Sequence, residues 1–352
     1  MSKTMKGFGI IVPNKETGWV NKEIPKVEPF EALLSPVAVC PCTSDVDGAR
    51  IRGVAAGRIL GHEAVGRIEA VGSMVKDFKV GDIVAVPAVT PKWYDIGIQE
   101  GLHQHLSRPL GGRFLSSQWD GVFGEYFKVP DVDMNVALLP EGVSLSSGVL
   151  VGDMVTTGFH GAELADIKFG DTVVVIGIGP VGLMSVAGAA LRGAARIIAV
   201  GNRPITRQLA MEYGATETIS YKDGPIYDQV MELTGNRPVD SVIIAGGTTA
   251  NIAEAYCMTK TAGTIANIAG QDSDFILKAS ESQSFVTHKT LTGGLCPGGR
   301  RRLERLLDLV RYGKLDVDKL ISHSFNGFEK IEDAFHLMAD NPSDVVKPIV
   351  YM

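Results

Sequence analysis

The sequence predicts an α/β protein, in which a doubly wound parallel-sheet domain is joined to a second, discontinuous β-rich domain. Three observations carry this. The glycine run Gly177-Ile-Gly-Pro-Val-Gly182 follows the apolar segment Thr172-Val-Val-Val-Ile176 directly and opens a stretch of small helix-forming residues. Apolar strand-sized segments and helical segments alternate from about residue 154 to about 294, the order of a doubly wound sheet. Before residue 154 the apolar runs are short, closely spaced and closed by glycine, which suggests a compact barrel or folded sheet.

Along the first part, residues 7–12, 64–72, 80–87 and 125–129 read as strands and turns. The pattern then changes. Residues 171–177 form a continuous apolar strand, 181–192 a helix, 196–201 a second strand and 207–213 a further helical stretch. Residues 240–245 and 263–268 supply more buried strands. An arginine-rich helix over 299–312, a helix over 328–338 and a strand over 345–351 close the chain. This tail is too small to fold alone, so it is expected to complete the first domain. The expected division is 1–153 with 295–352, and 154–294 for the nucleotide-binding domain.

Composition narrows the function. The chain has 352 residues, enough for two cores, with 45% hydrophobic and 21% charged residues, as in ordinary soluble proteins. A net charge of −6 provides no basic footprint for nucleic acid or an acidic membrane surface. The first residues lack the apolar core of a secretory signal, and the apolar runs are too short to span a bilayer. The four cysteines, Cys40, Cys42, Cys257 and Cys296, form no C-x₂-C framework. A reducing, cytoplasmic setting is expected, with Cys40, Cys257 and Cys296 as packing thiols.

The glycine run lies where a dinucleotide-binding turn requires it, between a strand and a helix. Gly177 allows the tight turn, Gly179 lets backbone approach a diphosphate, and Gly182 permits close helix–strand packing. Pro180 and Val181 sit in the same turn at the helix N-terminus, where free N–H groups and the dipole favour anions. The second strand ends Val200-Gly201-Asn202-Arg203, without the acid that would bond a ribose 2′-hydroxyl. Gly201 leaves room, Asn202 can donate hydrogen bonds and Arg203 can pair with a 2′-phosphate, which indicates NADP. Tyr221 is a further candidate for that phosphate.

Cys42, His62, Glu63 and Asp153 precede the glycine run, and their side-chain types suit zinc. Spacing alone leaves open whether they converge. Gly61-His-Glu-Ala-Val-Gly, Val80-Gly-Asp-Ile-Val and the glycine run, in this order, resemble the zinc-dependent medium-chain dehydrogenases. Pro41-Cys-Thr-Ser-Asp, Asp120-Gly-Val-Phe-Gly-Glu, Asp153-Met-Val-Thr-Thr-Gly-Phe-His-Gly-Ala and Gly293-Gly-Leu-Cys-Pro-Gly-Gly-Arg resemble in particular the NADP-dependent secondary alcohol dehydrogenases of anaerobic bacteria and protists. The likeness runs from about Met5 to the C-terminus. It implies a Rossmann-type domain beside a GroES-like catalytic domain, and one catalytic zinc on Cys42, His62, Glu63 and Asp153. It also implies a homotetramer and short secondary alcohols or ketones as substrates. The four-cysteine structural zinc lobe of other family members is absent. Phosphate recognition falls on Gly201, Asn202, Arg203 and Tyr221, with Asn202 where the subgroup usually has serine. The resemblance makes Ser44 the group that takes and passes the alcohol proton. Thr157 is a separate candidate contact on the nicotinamide side.

Some positions depart from that pattern. Asp47 stands where the subgroup usually has histidine. The loop 48–58 is shorter and carries Arg50, Arg52 and Arg58, and Arg113 replaces a bulky pocket aromatic. A preference for a larger or more polar alcohol is therefore expected. His103-Gln-His105 reads as a polar loop, His160 as hydrogen-bonded structure, and Arg300, Arg301, Arg302 and Arg305 as a solvated or subunit-contact face. The competing readings are a polyol or amino-alcohol dehydrogenase, a zinc-free quinone reductase, and a non-catalytic NADP-binding protein.

Overall fold

The computed structural model describes residues 3–271, 273–277 and 284–352. The chain divides into two compact units, Met1–Thr156 with Pro297–Met352, and Thr157–Cys296.

The first unit holds a seven-stranded sheet. Its main path runs Ile321–Asn326, Lys347–Tyr351, Ala32–Val39, Ala64–Val71, Ile83–Val86, Ala137–Leu138, with Phe127–Val129 also paired to Ala32–Val39. The C-terminal strand enters beside the N-terminal segment through Val350↔Val39, so the unit is built from both ends of the chain. A hairpin, Thr4–Val12 with Glu16–Glu23, adds Phe8 and Ile10 to a core that includes Phe123, Phe127 and Phe335. Alternation explains the strands: in Ala32–Val39 every second residue from Ala32 to Ala38 is buried.

The register Val39↔Ala64 is what positions the site. It sets the residues leaving one strand, Cys40 to Cys42, beside those entering the other, His62 and Glu63. The Cys40 amide donates to the Glu63 carbonyl at 3.2 Å across this junction. Gly61 holds φ at +90°, and a Cβ there would lie 2.4 Å from the Phe123 ring, so the chain turns into His62 only with glycine.

The second unit is a six-stranded parallel sheet ordered Glu217–Ile219, Arg196–Val200, Thr172–Ile176, Val239–Ile244, Thr259–Asn267, Thr290–Gly293. Counted along the chain this is the 3-2-1-4-5-6 order, whose switch point lies beside the first strand. Its two central strands are buried and apolar over Val173–Ile176 and Val242–Ile244, as expected where helices cover both faces. The predicted helix over 207–213 starts earlier, at Pro204, because proline fits the first helical position, where its missing N–H is not needed.

Candidate active site

Cys42 is the N-cap of a helix, Thr43–Arg50. The Asp45 carboxylate accepts from the Cys42 amide at 3.0 Å while the Cys42 side chain faces the third helical amide, a reciprocal cap. This cap fixes the direction in which the thiol leaves the backbone.

Cys42, His62, Glu63 and Asp153 come together, with one ligand atom from each within 4.8 Å of all the others. His62 Nε2 lies 3.2 Å from Asp153 Oδ2 and 3.9 Å from Glu63 Oε1. A tetrahedral zinc with bonds of about 2.0–2.3 Å spaces its ligand atoms about 3.3–3.8 Å apart, so the set lies within about 1 Å of ligand spacing. Glu63 Oε2 is buried without a hydrogen-bond partner, which a metal would supply. The residues therefore fit a zinc ion. Asp153 reaches the cluster from a π-helical turn, Val151–Val155, whose Gly152 lets the turn lie against Val86. A Cβ at Gly152 would sit 2.3 Å from the Val86 carbonyl oxygen.

Two further residues complete the centre, and sequence reasoning did not assign either. Asp45 Oδ1 lies 3.0 Å from His62 Nδ1, which then donates and turns Nε2 towards the other three donor side chains, as a metal-binding histidine would be held. The same oxygen accepts from the Gly61 amide at 3.2 Å and from Ser116 Oγ at 3.4 Å. Burial pushes the Asp45 carboxyl up, but His62 and the Cys42 amide outweigh it and hold it below the usual carboxylate range. Lys347 Nζ donates to Glu63 Oε1 at 2.6 Å, with the two side chains 1% and 0% exposed. Burial works against a charged Lys347, yet Glu63 and Cys42 hold its proton on, above the ordinary lysine value. Burial pushes the Glu63 carboxyl up and Lys347 opposes this; an ion pair at that distance selects the carboxylate. For Cys42, burial raises the thiol, but Lys347 and His62 bring it below its ordinary value, towards the thiolate that binds metal. The Cys42-to-Asp45 spacing was the available signal for Asp45, and a lone lysine in the apolar run 345–351 was the signal for Lys347.

Ser44 Oγ lies 3.3 Å from His62 Nε2, beside the donor cluster. Asp47 is engaged by Arg52 at 3.4 Å. Arg113 precedes the turn Phe114–Gln118, in which Leu115 and Ser116 are non-helical, and its carbonyl accepts from Ser117 Oγ and Gln118 Nε2. The two histidines of His103-Gln-His105 serve structure: His103 stacks on Trp93 and accepts from the Gly298 amide, and His105 accepts from the Leu110 amide. His160 lies 3.3 Å from Glu163. Arg300 pairs with Asp77 and Glu304, Arg301 with Glu304, and Arg302 bonds Thr156. Cys40 and Cys296 are buried and Cys257 half-buried, and among the described residues none of the three is in a disulfide.

In the second unit a cavity of about 470 Å³ opens at the strand ends. Its lining includes Gly177, Gly179, Gly201, Asn202, Arg203 and Tyr221. Gly177 adopts φ +85°, and a Cβ there would meet Gly246 at 2.7 Å. A Cβ at Gly182 would lie 1.8 Å from the Gly177 carbonyl oxygen, whereas one at Gly179 would meet no protein atom within 4 Å. The space at Gly179 is thus left for something other than protein. Pro180 and Val181 begin the helix Pro180–Leu191. Gly201 packs against Ile178, which a Cβ would strike at 2.3 Å. Tyr221 is 54% exposed and its hydroxyl donates to Asn202 Oδ1 at 2.7 Å, leaving the Asn202 amide donors for a ligand. Arg203 is half-buried, and burial lowers its pKa without discharging it. Thr157 is half-buried on the helix Thr156–Leu164.

Comparison with known proteins agrees with this geometry. Residues 28–141 match the alcohol dehydrogenase GroES-like domain, and residues 180–311 match the zinc-binding dehydrogenase domain. The chain is 52% identical over 354 residues to the NADP-dependent isopropanol dehydrogenase of Thermoanaerobacter brockii, covering 99% of this chain and 100% of that one. It is 50% identical to the NADP-dependent isopropanol dehydrogenase of Clostridium beijerinckii, with the same coverage. The apo structure of zinc dependent alcohol dehydrogenase 2 from Streptococcus pneumonia superposes with a TM-score of 0.89 at 26% identity, covering 99% of this chain and 98% of that one.

Proposed function

The chain belongs to the zinc-binding alcohol dehydrogenase family, and from that premise we propose how its residues interconvert secondary alcohols and ketones with NADP(H). The overall reaction is secondary alcohol plus NADP⁺ to ketone, NADPH and a proton. The observation that carries the assignment is the convergence of Cys42, His62, Glu63 and Asp153 within 4.8 Å of one another. These four hold the catalytic zinc, in the unit Met1–Thr156 with Pro297–Met352. Bound zinc supplies a Lewis acid that lowers the pKa of an alcohol and polarises a carbonyl.

Asp45 fixes the His62 tautomer and ring plane. Ser44 Oγ accepts the proton that the substrate hydroxyl gives up and returns it in the reverse direction. With Asp47 held by Arg52, the path beyond Ser44 runs without the histidine usual in the subgroup. In the unit Thr157–Cys296, Gly177, Gly179 and Gly182 shape the diphosphate turn, with Pro180 and Val181 at the helix start. Gly201, Asn202, Arg203 and Tyr221 select the 2′-phosphate, and the absence of an acid after Val200 disfavours NAD. Thr157 contacts the nicotinamide side. Arg113 and Asp47 shift preference towards more polar alcohols than 2-propanol.

The assembly we propose is a homotetramer in the cytoplasm, on the resemblance and on the cysteine usage; light scattering of the purified protein measures the former. Among the described residues no helix is long and apolar enough to cross a membrane. The test of the function is initial rates of 2-propanol oxidation with NADP and NAD side by side, together with zinc content. Turnover favouring NADP supports the whole reading, and turnover favouring NAD refutes the role given to Asn202 and Arg203. NADPH binding without turnover of any alcohol or carbonyl would leave a binding protein instead.

A further inference from the structure

Lys347 is the one fully buried lysine or arginine among the described residues. Its strand, Lys347–Tyr351, belongs to the C-terminal segment, yet its ammonium meets Glu63, 284 residues away in sequence. We propose that Lys347 is a positioning residue of the metal centre, so that zinc retention and docking of the C-terminal strand depend on each other. The inference rests on the zinc reading above.

Charge and geometry both point this way. One thiolate and two carboxylates around a dication leave a net negative charge in a buried place. Asp45 adds another, spread over hydrogen bonds from the Cys42 and Gly61 amides, His62 and Ser116. A buried net charge is unfavourable unless an opposite charge is close and well placed. Lys347 is that charge. It also pins Glu63 by Oε1 and leaves Oε2, which is buried and without a partner, as the oxygen presented to a metal. A long flexible carboxylate side chain is thereby held in one orientation. The dependence works in reverse as well. Without a metal, nothing ties the Glu63 carboxylate to Cys42, His62 and Asp153, which lie within 4.8 Å of one another, and the contact that anchors the strand loses its fixed partner. The strand is otherwise tied by its pairing with Ile321–Asn326 and by the short antiparallel register at Val350↔Val39 and Tyr351↔Ala38.

The test begins with zinc content of the wild-type enzyme, then follows amide hydrogen exchange with and without zinc removed by a chelator. The expected result is exchange at least tenfold faster in Lys347–Tyr351 after zinc removal, with Thr172–Ile176 unchanged. Lys347→Met is expected to lower zinc affinity at least tenfold in chelator competition while its circular dichroism stays native. Lys347→Arg, which keeps the charge, should recover part of that affinity. Zinc-loaded wild type whose C-terminal strand exchanges equally fast with and without zinc would overturn the inference and leave the zinc reading standing. So would a Lys347→Met enzyme that binds zinc as tightly as wild type. Should Lys347→Met not fold, the wild-type exchange comparison decides alone. Wild type that neither carries nor takes up zinc would overturn both.

Discussion

The three glycines of the nucleotide turn do different jobs, and alanine substitutions separate them. At Gly182 an added Cβ would lie 1.8 Å from the Gly177 carbonyl oxygen and 2.8 Å from its carbon. The obstacle is backbone, so the helix Pro180–Leu191 must move off the strand Thr172–Ile176 by more than an ångström. Overpacking a rigid core typically costs about 1–3 kcal/mol, and an immovable carbonyl puts Gly182→Ala near the upper end, about 3 kcal/mol. That is a large share of a typical folding stability of about 5–15 kcal/mol. Gly179 is the opposite case. A Cβ there meets no protein atom within 4 Å, and the residue has an ordinary φ of −72°. Restricting the unfolded chain favours Gly179→Ala by about 0.4–1 kcal/mol, and alanine is a poorer N-cap than glycine by a similar amount. The two offset each other, leaving stability within about 0.5 kcal/mol of wild type. The methyl group instead occupies the space where a diphosphate must approach, so NADPH affinity should fall at least tenfold, about 1.4 kcal/mol.

The assays are urea unfolding of ligand-free protein and fluorescence titration with NADPH. Gly182→Ala should shift the unfolding midpoint strongly. Gly179→Ala should leave it in place and weaken binding. A Gly182→Ala protein as stable as wild type would refute the packing argument. A Gly179→Ala protein that binds NADPH normally would show that the diphosphate does not approach this face of the turn.

Other substitutions bear on the remaining assignments. Ser44→Ala should lower kcat by about 10²–10⁴-fold, the usual contribution of a proton-transfer group, while zinc content by mass spectrometry stays at the wild-type level. Arg203→Ala should raise KM for NADP about tenfold to a hundredfold, the loss of a hydrogen bond to a charged group, and leave KM for NAD nearly unchanged. Asp131→Asn should stabilise the protein by a few tenths of a kcal/mol at neutral pH. Burial raises the Asp131 carboxyl, so its charged form costs stability above its folded pKa, while asparagine still accepts from the Trp93 amide and tolerates the left-handed φ of 39°. That advantage should fade as pH falls through the carboxylate range, because the native aspartic acid then takes up its proton first; thermal unfolding at several pH values reads it.

What could be read from the sequence follows the range of the interactions involved. The turn from Gly177 to Gly182 was legible because strand, glycine spacing and helix are contiguous and each is a local preference. The edge strand Thr290–Gly293 was not, since its residues are exposed apart from half-buried Thr292, carry no apolar alternation and pair only through Thr259–Asn267. The helix Thr43–Arg50 was missed because cysteine is not among the usual N-caps, and the cap works only through the reciprocal bond to Asp45. The donor types at Cys42, His62, Glu63 and Asp153 were visible one by one, but their convergence depends on the register Val39↔Ala64 and on the close approach of Gly152 to Val86. Neither is written in spacing. Lys347 marks the limit most sharply. A charged residue in an apolar strand announces that a partner exists, because burying an unpaired ammonium is prohibitive. Only the pairing of strands far apart in sequence identifies that partner as Glu63, and so joins an isolated basic residue to the donor cluster of Cys42, His62, Glu63 and Asp153.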